Sequence, residues 1–194
     1  MIDYRCKLEN DKFYHIYNRG NNGENLFYTK ENYNFFLRKY DEHLSNFLET
    51  YAFCLLPNHF HFLVRVNVSH LINEKHLDPV SKAFQRLFTS YAKSINKQER
   101  RHGSLFEKPF KRIELKSENH LTNLVFYIHA NPQKHGISDD FRMYPWSSYE
   151  RILKNKPTRL KKEEVIDWFN DKDNYLVYHS QKADLALMNE LTIE

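Results

Sequence analysis

The segment 57–66 places the tightest constraint on the fold of this 194-residue chain. Apolar side chains occupy every second position from 60 to 66, and they alternate with a set that begins with His59 and His61. Side chains of a β-strand point alternately to opposite faces, so this spacing predicts a strand with one apolar and one mostly polar face. Residues 51–56 form a second apolar run, and a Pro-Asn pair between the runs predicts that the two strands pair as a hairpin.

The other segments alternate between strand and helix patterns. Residues 13–19 are rich in aromatic side chains and stop at a glycine, which predicts a first strand. Apolar spacings of three and four predict an amphipathic helix over 33–48 and a second one around Tyr91. A further strand is expected within 105–115.

A third helix is expected to begin near Ser117, a good N-cap residue, and to stop at Pro132. The resulting order predicts an α+β fold whose first six elements match the split βαβ pattern, an antiparallel sheet with helices on one face. After Tyr149 the pattern weakens. We therefore expect a domain of residues 1–149 and a charged, partly helical tail of residues 150–194.

Composition limits the class of function. The chain has only 4 glycines and contains neither a GxGxxG nor a P-loop pattern, which argues against a nucleotide-binding loop. A net charge of +4 and a sequence pI of about 8.9 fit an anionic partner such as nucleic acid, and they fit an ordinary basic protein equally well. Two cysteines without a CxxC pattern, no apolar leader and no run of about 20 apolar residues predict a cytoplasmic protein without a membrane partner.

Two residue pairs carry the candidate chemistry. His59 and His61 leave the same face of their strand and could converge on one metal ion, although a pair of surface or hydrogen-bonded histidines is the alternative. On the third helix, Tyr127 and Asn131 are one turn apart. A tyrosine hydroxyl can attack phosphorus, and an amide oxygen can join two imidazoles around a metal; the alternative is a half-buried tyrosine and a helix-ending asparagine. Tyr91 is a rival nucleophile, but it lies in an apolar stripe without a polar partner four residues on.

Four segments occur in a fixed order: LPNHFHFL at 56–63, GSLFEKPFK at 103–111, YIHANP at 127–132 and YPWSSY at 144–149. Together they resemble the REP-associated tyrosine transposases and their relatives, the single-tyrosine HUH transposases of small insertion sequences. The resemblance covers roughly residues 12–150.

This resemblance implies a ferredoxin-like fold of the HUH endonuclease type. It implies His59 and His61 as the metal-binding pair, Tyr127 as the nucleophile and Asn131 as the residue that completes the metal site. The implied substrate is single-stranded DNA, often a hairpin, which is cleaved through a 5′-phosphotyrosine and later rejoined. The mixed imidazole and amide set favours Mg²⁺ or Mn²⁺ as the divalent metal, with zinc as an alternative.

The residues expected to contact DNA are Asn18, Arg19, Lys108, Lys111 and Arg112. The basic run could instead be a solvated surface, and the interleaved Phe106 and Phe110 could stack on bases or belong to the core. Three alternatives stay open: a non-catalytic hairpin-binding protein, a replication initiator or relaxase, and an unrelated metallohydrolase. The resemblance also leaves open a monomer or a homodimer in which the tyrosine helix is exchanged between subunits.

Overall fold

A computed structural model describes residues 6–67 and 79–181 of the chain. It contains a four-stranded antiparallel sheet in the order β2-β3-β1-β4, covered by helices, which confirms the predicted α+β class. The strands are β1 (Phe13–Arg19), β2 (Leu48–Leu56), β3 (His59–Val66) and β4 (Lys111–Leu115). The α-helices are α1 (Lys30–Leu44), α2 (Pro79–Gln98), α3 (Glu118–Lys134), α4 (Tyr149–Leu153), α5 (Lys162–Trp168) and α6 (Lys172–Ser180). Short 3₁₀ turns lie at Asn21–Gly23 and Phe141–Met143.

Different helices cover the two faces of the sheet. Phe60 and Phe62 point toward α1, where their rings lie 5.3 Å from Phe36 and 4.3 Å from Tyr40. The opposite face packs against α3, which contacts β2, β3 and β4. The face of β3 that begins at His59 was predicted to be mostly polar; it is buried, because a third helix outside the split βαβ unit covers it.

Two helix ends differ from their predicted positions. The first helix ends at Leu44, and Leu48 already belongs to β2. The prediction extended the helix to residue 48 because both leucines face the core, so the apolar spacing continues from the helix into the strand. The third helix passes through Pro132 and ends at Lys134. Pro132 has no N–H to donate, but the turn after it still forms, since the His135 N–H donates to the Asn131 carbonyl over 3.0 Å.

The YPWSSY segment covers the free edge of β2. The Leu55 N–H donates to the Trp146 carbonyl over 2.9 Å, and the Ser148 N–H donates to the Phe53 carbonyl over 2.9 Å. An uncovered edge strand would expose a row of unpaired backbone groups, so these bonds close the sheet on this side. The YPWSSY motif therefore has a structural role, because its backbone bonds the edge of β2.

The described part of 150–194 is helical and packs against α3. Val165 and Tyr175 are fully buried, and His179 of α6 is hydrogen-bonded to His129 of α3 over 3.0 Å. The second nitrogen of His129 bonds the Ser148 hydroxyl over 2.7 Å. The division of the chain at residue 149 stays a prediction. Among these described residues, no helix combines the length and apolar character that crossing a bilayer requires.

Burial of His179 predicts a loss of stability in acid. Burial lowers its pKa from 6.5 to about 4, so the unfolded chain takes up a proton before the folded one does. This stabilisation is fully present above pH 6.5 and is lost as the pH falls toward 4. Between pH 7 and pH 5 its loss amounts to about 2 kcal/mol. In urea titrations we expect wild type to lose about 2 kcal/mol more than His179→Gln over this interval; equal losses would contradict the assignment.

Candidate active site

Strands β1 and β3 assemble one half of the site. In their antiparallel register, Tyr17 lies opposite His61 and Arg19 lies opposite His59. Because alternate residues share a face, these four side chains and that of His15 all point toward α3. His61 is 3% exposed and His59 is 9% exposed, so both imidazoles are almost fully removed from solvent.

Helix α3 supplies the other half. Tyr127, Asn131 and His135 follow one another at intervals of four residues, which places them along one side of the helix and its C-cap. The Tyr127 ring centre lies 5.6 Å from that of His61, and the His135 ring centre lies 4.8 Å from that of His59. Asn131, between them in sequence, is fully buried. The structure thus brings Tyr127 to the predicted histidine pair and buries Asn131 one turn further along the same side of α3.

Polar atoms of the histidine pair and of Asn131 are buried and have no hydrogen-bond partner among the described residues. They are Nε2 of His59, Nε2 of His61 and Oδ1 of Asn131. Buried polar atoms in folded proteins are nearly always paired, so an unpaired group calls for an explanation. The other end of the Asn131 amide is paired, since its Nδ2 donates to the Tyr127 carbonyl over 2.7 Å.

Hydrogen bonds at the remaining imidazole nitrogens orient both rings. Nδ1 of His59 lies 2.7 Å from Oδ1 of Asn58, an atom that only accepts, so Nδ1 carries the proton and Nε2 keeps its lone pair. Nδ1 of His61 lies 2.9 Å from Nε2 of His15. If His61 is the donor there, its Nε2 also presents a lone pair. Neighbours that fix the ring and tautomer in this way are typical of metal-binding histidines.

Burial keeps these imidazoles neutral, which is the form that binds a metal. It lowers the pKa of His59 to about 4 and that of His15 to about 3. Burial, followed by the neighbouring His15, holds the pKa of His61 well below 6.5. Within 6–67 and 79–181 there is no group of three or more His, Cys, Asp and Glu side chains that could hold a metal. The Asn131 amide oxygen is a buried polar atom without a hydrogen-bond partner in this described part of the chain, and imidazole nitrogens with an amide oxygen are a donor set that fits a divalent cation.

A cleft of about 410 Å³ opens beside the histidine pair. Its lining includes Arg19, His59, His61, Glu107, Lys111 and His135. Arg19 is paired with Glu107, its Nε 2.6 Å from the carboxylate, and Lys111 approaches the Tyr17 ring at 5.6 Å from its centre. Tyr127, only 2% exposed, and Asn131 do not line this cleft but lie behind its wall.

The residues predicted to contact DNA separate into three groups. Arg19 and Lys111 line the cleft directly. Asn18 also borders it, but its side chain is almost fully buried and donates to the Glu107 carbonyl over 3.2 Å, which positions the adjoining loop. Lys108 is exposed in a neighbouring groove. Arg112 lies on the α2 side of the sheet and donates to the Cys6 carbonyl and to the Ser81 hydroxyl over 2.6 and 3.1 Å.

Sequence reasoning missed His15 and His135. His15 belongs to the same alternating face as Tyr17 and Arg19, a pattern that could have indicated it. His135 continues the spacing of four from Tyr127 and Asn131. It was missed because the helix was expected to stop at Pro132, before this position. The rival nucleophile Tyr91 is fully buried on the other side of the sheet, where its hydroxyl donates to the Leu26 carbonyl over 2.8 Å.

Comparison with known proteins agrees with the motif analysis. No family model matches the chain. A Haemophilus influenzae protein assigned by its name to the REP-associated tyrosine transposases is 28% identical over 108 residues, a match that covers 55% of this chain and 61% of that relative. The chain thus spans about three-fifths of the relative's length.

A solved structure of a REP-associated tyrosine transposase bound to a REP hairpin shares the fold. The two superpose with a TM-score of 0.60 over 81% of this chain and 89% of the other, at 17% sequence identity. In both its sequence and its fold, the chain is therefore similar to REP-associated tyrosine transposases, as its four ordered motifs predict.

Proposed function

We propose that this protein is a transposase-like enzyme that cleaves and rejoins single-stranded DNA at hairpin elements, with Tyr127 as the nucleophile. The observation that carries the proposal is the set of unpaired, buried polar atoms of His59, His61 and Asn131, with the Tyr127 ring centre 5.6 Å from that of His61. The relative named as a transposase and the fold shared with a hairpin-bound transposase support the substrate class.

The reaction follows from the chemistry of a tyrosine hydroxyl. The Tyr127 oxygen attacks phosphorus, an O–P bond forms, and the bond from phosphorus to the 3′-oxygen breaks. The hydroxyl proton leaves and the departing 3′-oxygen takes up a proton, so no net proton is consumed. The 5′-phosphotyrosine retains the energy of the phosphodiester, so a 3′-hydroxyl can later attack it and restore the strand.

The surrounding residues bind and orient the anionic strand. Arg19 and Lys111 line the cleft, and a DNA phosphate could compete with Glu107 for Arg19. His59, His61 and Asn131 would hold a divalent metal, which we propose to be Mg²⁺ or Mn²⁺; when bound, it would offset negative charge on the phosphate. The ammonium of Lys134, 5.2 Å from the centre of the Tyr127 ring, adds positive charge on the side of the nucleophile.

The proposal is tested by incubating the full chain with labelled hairpin DNA that carries single-stranded flanks. In Mn²⁺ or Mg²⁺ we expect a covalent protein–DNA adduct on denaturing gels, absent in the presence of a chelator, and peptide mapping should place the DNA on Tyr127. Cleavage without an adduct would contradict the proposal and indicate a metallohydrolase that uses water.

One observation favours a second candidate, a hairpin-binding protein without catalytic activity. Tyr127 is only 2% exposed and does not line the cleft, so its hydroxyl reaches a bound strand only after a local rearrangement. The same incubation separates the two candidates. Tight hairpin binding with no cleavage in any divalent metal, on DNA taken from the natural flanks of the gene, would establish the non-catalytic function.

A further inference from the structure

We propose that a second groove, beside α2, binds unpaired nucleobases of the strand that passes through the cleft. This inference rests on the proposed function, because it assigns the path of the same DNA. The groove measures about 650 Å³ and lies between α2 and the loop 103–110. Its lining includes Gln85, Phe88, Thr89, Lys93, Phe106 and Lys108.

The groove and the cleft are adjacent. Asn18 and Glu107 line both cavities, so the two openings share a wall at the end of β1. The Glu107 N–H donates to the Arg19 carbonyl over 3.0 Å, which fixes the loop at this junction. A strand whose phosphate lies near Arg19 would therefore enter the groove with its neighbouring nucleotides.

The floor of the groove is aromatic. The Phe88 ring centre lies 4.8 Å from that of Phe106 and 5.6 Å from that of Phe110. Phe88 and Phe110 remain partly accessible, whereas Phe106 is 5% exposed. Stacking on such rings suits any base, because every base has a π-face, and a base in a duplex cannot use it. The floor therefore favours unpaired nucleotides over paired ones.

The rim is polar and cationic. Lys93 and Lys108 are exposed on opposite sides of the groove, one on α2 and the other on the loop. Glu107 is the acidic residue among the described residues that line the groove, and its carboxylate is occupied by Arg19. Gln85 and Thr89 are exposed on α2 and offer hydrogen bonds to base edges. This arrangement complements a phosphate chain with bases turned toward the protein.

The groove is held open before any ligand binds. Asn96 of α2 donates from Nδ2 to the Gly103 carbonyl over 2.9 Å, and Arg101 donates to Oδ1 of Asn96 over 2.9 Å. Arg101 also forms an ion pair with Glu24. A loop that is fixed in this way does not have to be ordered on binding, so less of the stacking energy is lost.

The test uses three DNA probes and the full chain. One probe is a plain hairpin, and the others carry a single-stranded extension at the 5′ or the 3′ end with a fluorescent adenine analogue in it. We expect one extension to tighten binding by roughly tenfold and to quench the analogue through stacking. Binding constants measured over a range of salt concentrations give a slope of log K against log[salt]. Lys93→Ala should reduce the magnitude of this slope by about 0.7, as the loss of one phosphate contact predicts.

Two further variants keep the test sharp. Lys97→Ala removes the same charge from an exposed position of α2 outside the groove, and it should leave binding unchanged. Thr89→Glu places a carboxylate in the groove at an exposed helical position, and it should abolish the quenching. The proposal is overturned if neither extension improves binding, if the analogue is not quenched, or if Lys93→Ala and Lys97→Ala behave alike.

Adduct formation, measured in parallel, separates this proposal from the proposed function. If an adduct forms and the groove variants do not change DNA binding, the groove does not bind nucleobases, but the proposed catalytic function is retained. Extension-dependent binding that the groove variants weaken, without any adduct, would support the groove and refute the catalytic assignment.

Discussion

Tyr127→Phe is expected to abolish the covalent protein–DNA adduct and to lower strand cleavage by at least about a thousandfold, because it removes the attacking oxygen. The aromatic ring, which packs 5.6 Å from His61, is retained. The free energy of unfolding should therefore change by no more than about 1 kcal/mol. Denaturing gels measure the adduct, and fluorescence anisotropy with labelled hairpin DNA should give an unchanged affinity.

Tyr91→Phe is the matched control for this experiment. Tyr91 is also a buried tyrosine, but it lies on the far side of the sheet and its hydroxyl bonds the Leu26 carbonyl. Its loss should cost about 1 kcal/mol of stability and leave the adduct intact. A folded Tyr127→Phe protein that still forms the adduct would refute the assignment of the nucleophile.

The second large effect is expected on metal affinity. His59→Ala removes one of the three proposed metal ligands, and Mn²⁺ binding should weaken by at least about a hundredfold, since even changes to residues behind a ligand cost roughly 10–100-fold. Electron paramagnetic resonance of free Mn²⁺ measures this without reference to catalysis. His102→Ala, which changes an exposed histidine outside the cleft lining, should bind Mn²⁺ as the wild type does.

Variants at Asn131 test whether its amide oxygen is a metal ligand. Asn131→Leu has nearly the same shape but no oxygen, and we expect it to weaken Mn²⁺ binding to a similar degree. Asn131→Asp keeps an oxygen at this position and should retain the metal. If Asn131→Leu binds Mn²⁺ normally while His59→Ala does not, the amide is not a ligand and Asn131 serves only the end of α3.

The sequence predicts the local features of this protein well, because they depend on neighbouring residues alone. Alternation along β3 correctly places His59 and His61 on one face, and a spacing of four correctly places Tyr127 beside Asn131 on α3. The burial of that face could not be predicted in the same way. It depends on which helix packs against the sheet, and the alternation of β3 carries no information about α3.

Long-range partners were missed for the same reason. The bond from His15 to His61 joins residues 46 positions apart; alternation along β1 places His15 on the site face, but it does not indicate His61 as the partner. The helices after residue 149 offered a weak pattern because they are short, yet Val165 and Tyr175 are completely buried. The roles predicted for Tyr127 as nucleophile and for His59, His61 and Asn131 as metal ligands stay predictions, which adduct formation and Mn²⁺ binding test.

The position of α3 between two layers has a consequence for subunit exchange. On one side Tyr127 and Asn131 face the sheet; on the other, Phe126 and His129 pack against His179 of α6, with ring centres 5.6 and 5.2 Å apart. A dimer that traded tyrosine helices would have to move α3 together with α4–α6, hinging at the short link after β4. A single molecule that keeps this block in place holds the nucleophile and the metal ligands on one polypeptide, and its cleavage rate per molecule would be independent of protein concentration.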